Sequence, residues 1–277
     1  MRENFEGLTG CITRMSWVLA GVVGLLMTGC SNESKVRSHT EKGDAFFASG
    51  DYEKARIEYI NVSRIEPNDP HAFAQIGHIF YENGLALKSI AFFSRAIELG
   101  ENDPRVFARR AVLMAMSDRA KAAEQVATAI ELDPTQEEAI LLLADLASDE
   151  AKITEVRRQI DQLRQAHGEL PVYATAEAVL EVKSKDLQSA QSRLEEVLVS
   201  NPDFAPAHSV LSAIFLAQTN LVDGGAALKR AAELSPPRSS RQLRYINFLL
   251  RQDKEAGLAR IDSILQRKKI VYVFHGG

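Results

Sequence analysis

The sequence of 277 residues is poor in the residues that most often carry chemistry. It contains two cysteines and one tryptophan, and its formal net charge is −4. Two cysteines are too few for a disulfide framework. Lysine and arginine are scattered rather than gathered into a basic stripe, which argues against phosphate-backbone binding. We therefore expect no nucleic-acid partner.

Motifs for catalysis and cofactor binding are also missing. None of the six histidines has a partner at metal-ligand spacing, and no cysteine lies nearby. The glycines do not form a phosphate-binding loop, and no serine stands in a Ser-His-acid arrangement. Acidic pairs such as Glu137-Glu138 are interpreted as helix-start charges on solvated faces. The sequence predicts no enzymatic activity, no metal site and no cofactor.

One apolar run stands out, from Met15 to Thr28, and it is shorter than the ~20 residues that span a bilayer as a helix. Such a length is typical of the core of a secretory signal peptide. The run leads into LMTGC, ending at Cys30, and resembles a bacterial lipoprotein signal. That resemblance implies a signal peptide over 1–29, a lipid on Cys30, a polar tether over 30–35 and, through Ser31, the outer membrane. The alternatives are an ordinary signal peptide or an uncleaved anchor, with translation from Met1 or from Met15.

A pattern of glycines and aromatics is written twice after the leader. Gly43, Phe46, Gly50 and Tyr59 recur as Gly77, Phe80, Gly84 and Phe93, each 34 residues later. Further along the chain, Pro134, Pro202 and Pro236 are also separated by multiples of 34. A fixed period of this length indicates stacked helix-turn-helix repeats, each too small to bury its own apolar face.

Gly43, Phe46, Gly50, Tyr52, Ala55, Tyr59 and Pro67 together resemble the tetratricopeptide repeat (TPR). The resemblance implies an all-α TPR solenoid, a right-handed superhelix of about six to seven helix pairs. The predicted array covers 36–268, with repeats at 36–69, 70–103, 104–136, 137–170, 171–204, 205–238 and 239–268. The fourth repeat is the most degenerate, and residues 269–277 form a β-prone apolar tail that does not fit the pattern.

In this family the first helix of each repeat lines a concave groove that binds a protein or peptide. The residues that the resemblance places there are Asp44, Phe47, Gln75, His78, Tyr81, Arg105, Arg109 and Val112. Phe47 and Tyr81 each follow a packing residue, so they are either exposed binding aromatics or filling between neighbouring repeats. Arg105 and Arg109 lie four residues apart on one helix face, and they either meet a partner's carboxylate or form a solvated basic face.

We therefore expect a non-catalytic scaffold, lipid-anchored in the bacterial envelope and facing the periplasm. It is similar to TPR lipoproteins of pilus assembly, outer-membrane biogenesis, murein-enzyme recruitment and, most of all, exopolysaccharide-associated (PEP-CTERM) protein sorting. Two alternatives stay open. The apolar tail could stack copies into a homo-oligomer, or the chain could be the amino-terminal part of a longer TPR protein or enzyme.

Overall fold

The computed structural model describes residues 32–273, and this part of the chain is helical with no β-strand. The predicted signal peptide, Cys11 and the lipidation site Cys30 lie outside it. Within it, no helix has both the length and the apolar character needed to cross a membrane.

Fourteen helices follow one another in the described residues. They are α1 (32–48), α2 (Tyr52–Ile65), α3 (Pro70–Glu82), α4 (Ala86–Glu98), α5 (Pro104–Met114), α6 (Arg119–Leu132), α7 (Glu137–Leu146), α8 (Glu150–His167), α9 (Pro171–Lys183), α10 (Leu187–Ser200), α11 (Ala205–Ala217), α12 (Leu221–Glu233), α13 (Ser240–Gln252) and α14 (Lys254–Val273). In chain order they form seven consecutive pairs within the described residues, α1–α2, α3–α4 and so on. The chain forms two compact bodies, one up to Gln75 and one from Ile76 onward, and the boundary falls within α3.

Small residues let the paired helices approach closely, as the period predicts. In the first body, a Cβ on Gly43 would lie 2.7 Å from the Tyr59 ring, and Tyr59 and Ala55 are fully buried. In the second body, Gly77 stands in the same relation to the buried ring of Phe93. A methyl group or larger side chain at Gly43 would push the Tyr59 ring out of the core, and one at Gly77 would push out the Phe93 ring.

The first helix of several repeats ends in a residue with left-handed backbone. Gly50 and Gly84 take φ of 78° and 71°, and Lys185 and Thr219 take 65° and 61° at the matching turns. In each case the next residue is the N-cap of the second helix. This turn therefore reverses the chain within a few residues, and glycine adopts its φ without the steric cost that a Cβ brings.

The core of the second body runs through the repeats with the weakest signature. Ile140 and Ile160 of the fourth repeat pack in one cluster with Tyr173 and Leu180 of the fifth, and all four are fully buried. Here the first helix, α7, is short and the second, α8, is long, ending at Gly168 with φ of 80°. The fourth repeat thus keeps the 34-residue period, because its short first helix is offset by a long second helix.

Two predicted boundaries are wrong. Residues 32–35, expected as a tether, already belong to α1, and the expected β-prone tail continues α14 as far as Val273. Polar residues such as Glu33 and Lys35 are good helix formers, and the backbone of α14 continues its hydrogen-bonded spiral past the last predicted repeat. Residues 274–277 lie outside the described part of the chain.

Candidate functional site

Arg109 lies at the centre of a group of side chains from the first helices of three repeats. We call this group, formed by Tyr81, Glu82, Arg109 and Glu138, the Arg109 cluster. Arg109 Nη2 lies 3.1 Å from Glu82 Oε1, and Nε donates to Glu138 Oε2 at 3.2 Å. The guanidinium carbon is 4.8 Å from the centre of the Tyr81 ring. One arginine thus links α3, α5 and α7.

The cluster is largely shielded from solvent. The side chains of Arg109 and Glu82 are 18% and 9% exposed. Burial raises the pKa of Glu82, and the neighbouring Arg109 opposes that rise. Burial also raises the pKa of Tyr81 well above its usual range, so the phenol stays neutral. One guanidinium between two ionised carboxylates leaves a net charge of −1, and the raised pKa of Glu82 agrees with this excess of negative charge.

His78 extends the cluster towards α5. Its Nδ1 lies 3.1 Å from Arg109 Nη1, and its Nε2 lies 3.7 Å from Asp103 Oδ2. Since arginine can only donate, Nδ1 accepts, and the ring proton of neutral histidine then sits on Nε2, facing the carboxylate. Burial lowers the pKa of His78 to about 4, an effect that Asp103 only partly offsets. Burial alone would raise the pKa of Asp103, but the neighbouring His78 ring and hydrogen bonds from Arg105 hold this pKa below its usual range.

In the first body, the predicted groove residues are mainly used by the protein itself. Asp44, which is exposed, accepts a hydrogen bond of 2.7 Å from the Tyr59 hydroxyl. Phe47 is half-buried, and its ring packs at 5.4 Å, tilted, against Tyr52. Gln75 is buried. The Phe47–Tyr52 contact lies within the first repeat, so the choice between a binding aromatic and filling between repeats stays a prediction for Phe47.

In the second body, the predicted residues divide into a buried and an open set. His78 is fully buried, and Arg109 and Tyr81 pack on each other in the cluster. Arg105 is half exposed and pairs with Asp103, with Nη2 to Oδ2 at 2.6 Å. Val112 is 36% exposed. The stripe Arg105, Arg109 and Val112, spaced by four and three residues, therefore opens to solvent at its two ends.

The structure corrects three expectations about these residues. Gln75 and His78 cannot contact a ligand directly in this conformation, because their side chains are buried. Glu138 lies in the first turn of α7 as expected, but it is half-buried and pairs with Arg109 instead of lying on a solvated face. The carboxylates that meet Arg105 and Arg109 belong to the chain itself. Partner binding by the remaining groove residues stays a prediction.

Sequence reasoning missed Glu82, Asp103 and Glu138 as members of this site. One signal could have found two of them. An arginine on the half-buried stripe of a first helix needs a carboxylate nearby, and the first helices of the adjoining repeats carry Glu82 and Glu138. The 34-residue period compares equivalent positions of successive repeats. It did not indicate Glu82 and Glu138, because these two residues occupy different positions within their repeats.

Comparisons with known proteins agree with this architecture. The TPR repeat model matches residues 43–84, and the tetratricopeptide repeat model matches 175–239. No curated protein sequence matches the chain.

Several solved structures share the fold at low sequence identity. A tetratricopeptide repeat protein from Parabacteroides merdae is 15% identical, with 84% of this chain and 93% of that one covered and a TM-score of 0.53. The Pseudomonas aeruginosa pilF structure is 14% identical, with 80% and 99% covered and a TM-score of 0.52. The APC/C hetero-tetramer Cut9-Hcn1 is 14% identical, with 77% and 43% covered and a TM-score of 0.54. The helix pairs and the shared fold show that the chain has the helical TPR fold, and the repeat family itself is matched over residues 43–84 and 175–239.

Proposed function

We propose that this protein is a non-catalytic scaffold that binds a protein or peptide partner through the first-helix stripe of its third repeat. The observation that carries the proposal is the division of α5 into two faces. Val106 and Ala111 are fully buried in the core, whereas Arg105 and Val112 remain open on the other side. Arg105 and Val112 lie about two helical turns apart, and the Arg109 cluster fixes the backbone between them. Together they give a rigid surface of mixed polarity. Surfaces of this kind suit peptide recognition.

The test is site-specific photo-crosslinking of the full-length protein in its native host. A photoreactive residue is placed at Arg105 or at Val112, and at Lys121 as the control. Lys121 is exposed on α6, the second helix of the same repeat. We expect one partner to be captured at Arg105 and Val112 and to be absent at Lys121. Equal capture at all three positions, or none at the first two, would contradict the proposal.

We also propose that the scaffold is lipid-anchored at Cys30 in the bacterial envelope, facing the periplasm and held at the outer membrane. The support for this is the LMTGC sequence ahead of a polar segment. The Gly50-Asp51-Tyr52 turn, with Ala55 after it, makes an exopolysaccharide-associated sorting system the first candidate for the partner machinery. Cys30→Ser should move the protein from the membrane to the soluble fraction, whereas Cys11→Ser should not. An unmodified Cys30 in the mass spectrum of the mature protein would overturn the anchoring.

A further inference from the structure

Two large apolar side chains of the second body lie almost fully in solvent at the turns of successive repeats. Leu87, in the first turn of α4, is 84% exposed, and Met116, between α5 and α6, is 98% exposed. Leu85, the N-cap residue of α4, is exposed as well. A single exposed apolar residue needs no explanation. Three of them at equivalent turns form a patch whose burial against another surface would be favourable.

The two turns emerge on the same edge of the second body. Arg109 of α5 contacts Tyr81 and Glu82 at the carboxyl end of α3, so the two first helices lie side by side. Arg109 is itself in the second half of α5. The turns that follow the two helices are therefore neighbours. We call the segments 83–88 and 115–121, which contain these turns, the turn edge.

The turn edge carries an excess of positive charge. Lys88, Arg119 and Lys121 are exposed, and the one acidic residue of the two segments is Asp118. Asp118 caps α6 and lies 3.5 Å from Lys121 Nζ. Arg119 donates to the carbonyl oxygen of Leu146, which orients the guanidinium without neutralising it. Exposed apolar side chains flanked by cations are what an anionic lipid surface attracts.

The opposite edge carries the opposite charge. The linkers between repeats, 99–103 and 133–136, lie at the other ends of the helices, about 20 Å away, since a helix rises 1.5 Å per residue. They contain Glu101, Asp103 and Asp133 and no lysine or arginine. Near an anionic surface, this difference in charge would turn the turn edge towards the surface and the linkers away from it.

We propose that the turn edge is a membrane-contact surface that binds the headgroup layer of an anionic lipid bilayer. Leu87 and Met116 insert among the headgroups. Lys88, Arg119 and Lys121 pair with the lipid phosphates. The contact belongs to the residues of the turn edge, so it is tested apart from the protein partner and apart from a lipid on Cys30.

The sixth repeat supplies a matched comparison. Val222 is the second residue of α12, as Leu87 is of α4, and it is 81% exposed. Its segment, 219–224, contains Asp223 and no lysine or arginine. An equally exposed apolar side chain is thus present there without the positive charge, and we expect it to stay in water.

The experiment uses tryptophan fluorescence, because the natural tryptophan, Trp17, is the only one in the sequence. In the full chain with Trp17→Phe, one tryptophan is introduced at a time as Leu87→Trp, Met116→Trp or the control Val222→Trp. Each protein is reconstituted with vesicles of phosphatidylcholine or of phosphatidylcholine mixed with phosphatidylglycerol, with and without bromine on the acyl chains. Bromine quenches a tryptophan that reaches the bilayer, so the signal reports on each position separately.

We expect the tryptophans at 87 and 116 to emit at shorter wavelength and to be quenched in the vesicles that contain phosphatidylglycerol. Both effects should weaken in phosphatidylcholine alone and at about 1 M salt, where the Debye length is ~3 Å. Val222→Trp should emit as in water in every vesicle. An unshifted, unquenched emission at 87 and 116 would overturn the proposal, as would equal quenching at 222.

Charge variants test the cations. Lys88→Glu/Lys121→Glu should abolish the quenching at Met116→Trp. Lys229→Glu/Lys254→Glu, which changes the net charge equally at exposed lysines of α12 and α14, should preserve it. Circular dichroism confirms that each variant keeps its helical content, and the comparison of lipid compositions needs neither variant.

Two further results would contradict a membrane contact. The first is equal quenching with and without phosphatidylglycerol, which would show that charge plays no part. The second is a shift to shorter wavelength at 87 and 116 before vesicles are added, which would show that a protein surface, such as a second copy of this chain, covers the turn edge.

Discussion

His78 is enclosed on all sides, and its two ring nitrogens face groups of opposite charge. Arg109 donates to one nitrogen and Asp103 lies beyond the other. The neutral ring accepts a hydrogen bond from Arg109 on one side, and on the other its proton points towards the Asp103 carboxylate, which is 3.7 Å away. Protonation would place a cation against Arg109, inside a region that water does not reach. The burial of this one histidine therefore makes the stability of the folded protein depend on pH.

We expect this histidine to make the protein less stable in acid. With a pKa of about 4 when folded and 6.5 for an ordinary histidine, the unfolded chain binds a proton in this window that the folded chain does not. The stability provided by the neutral ring is therefore complete above pH 6.5. It is lost as the pH falls towards 4, by about 3 kcal/mol in total.

The measurement is the free energy of unfolding by denaturant at several pH values between 4 and 7. His78→Gln should flatten the pH dependence in this window, by up to ~1.4 kcal/mol per pH unit relative to the parent. His167→Gln, at an exposed position, is the control and should keep the parental slope. An unchanged slope in His78→Gln would show that other groups cause the acid sensitivity.

At the scale of the helix pair, several turns share one left-handed backbone position but place different residue types in it. Gly50 and Gly84 adopt the left-handed region freely, but Thr219 takes it at φ of 61° in the sixth repeat. A β-branched side chain is sterically unfavourable there. The sixth repeat thus contains local strain that the first two avoid.

We expect Thr219→Gly to stabilise the protein by about 1 kcal/mol, because glycine removes the steric cost of a Cβ in this conformation. Gln218→Gly is the matched control, since Gln218 has φ of −82° and glycine there only adds freedom to the unfolded chain. Denaturant midpoints of the two variants and the parent decide the matter. A Thr219→Gly variant no more stable than the parent would mean that the turn carries no strain.

At the scale of the whole molecule, the repeats of the second body differ in how well they are enclosed. The fourth and fifth repeats share fully buried residues such as Ile160 and Leu180. In the seventh repeat, Leu243, Leu258 and Leu265 are about half exposed. Repeats in such arrays draw their stability from their neighbours. The last helices therefore have fewer stabilising contacts.

We expect backbone amides in α13 and α14 to exchange with solvent deuterium faster than those in α9 and α10, because local opening needs less free energy where less apolar surface is buried. Hydrogen exchange followed by mass spectrometry of peptic fragments measures this directly. Helices α9 and α10 serve as the internal reference. Equal protection of the two pairs would contradict a gradient of stability towards the last repeat.

The helix pairs are the part of the fold that could be predicted from the sequence. The period predicted the helix pairs even through the degenerate fourth repeat, because small and aromatic residues at fixed spacing are enough to determine how two helices pack. Gly43 against Tyr59 and Gly77 against Phe93 are examples. Such contacts are local and depend on volume, which the residue type fixes.

Polar contacts between repeats, such as the Arg109 cluster, could not be predicted in the same way. Arg109 pairs with Glu82 and Glu138 on two other first helices, and Arg238 reaches Asn83 in a repeat far along the chain. Long polar side chains have many rotamers, and their partners are selected by the stacking of whole repeats. The period indicates which face a residue occupies, but not which charge stands opposite.

The Arg109 cluster also limits how this protein can change by mutation. Loss of Arg109 alone would leave Glu82 and Glu138 without the guanidinium that pairs with both of them, and breaking a buried pair in this way costs about 3–5 kcal/mol. Exchange of all three for apolar residues of similar volume is often close to neutral. We therefore expect positions 82, 109 and 138 to change together, because each single substitution destabilises the fold and only the combined substitution avoids this cost. A redesign of this face has to treat the three residues as one.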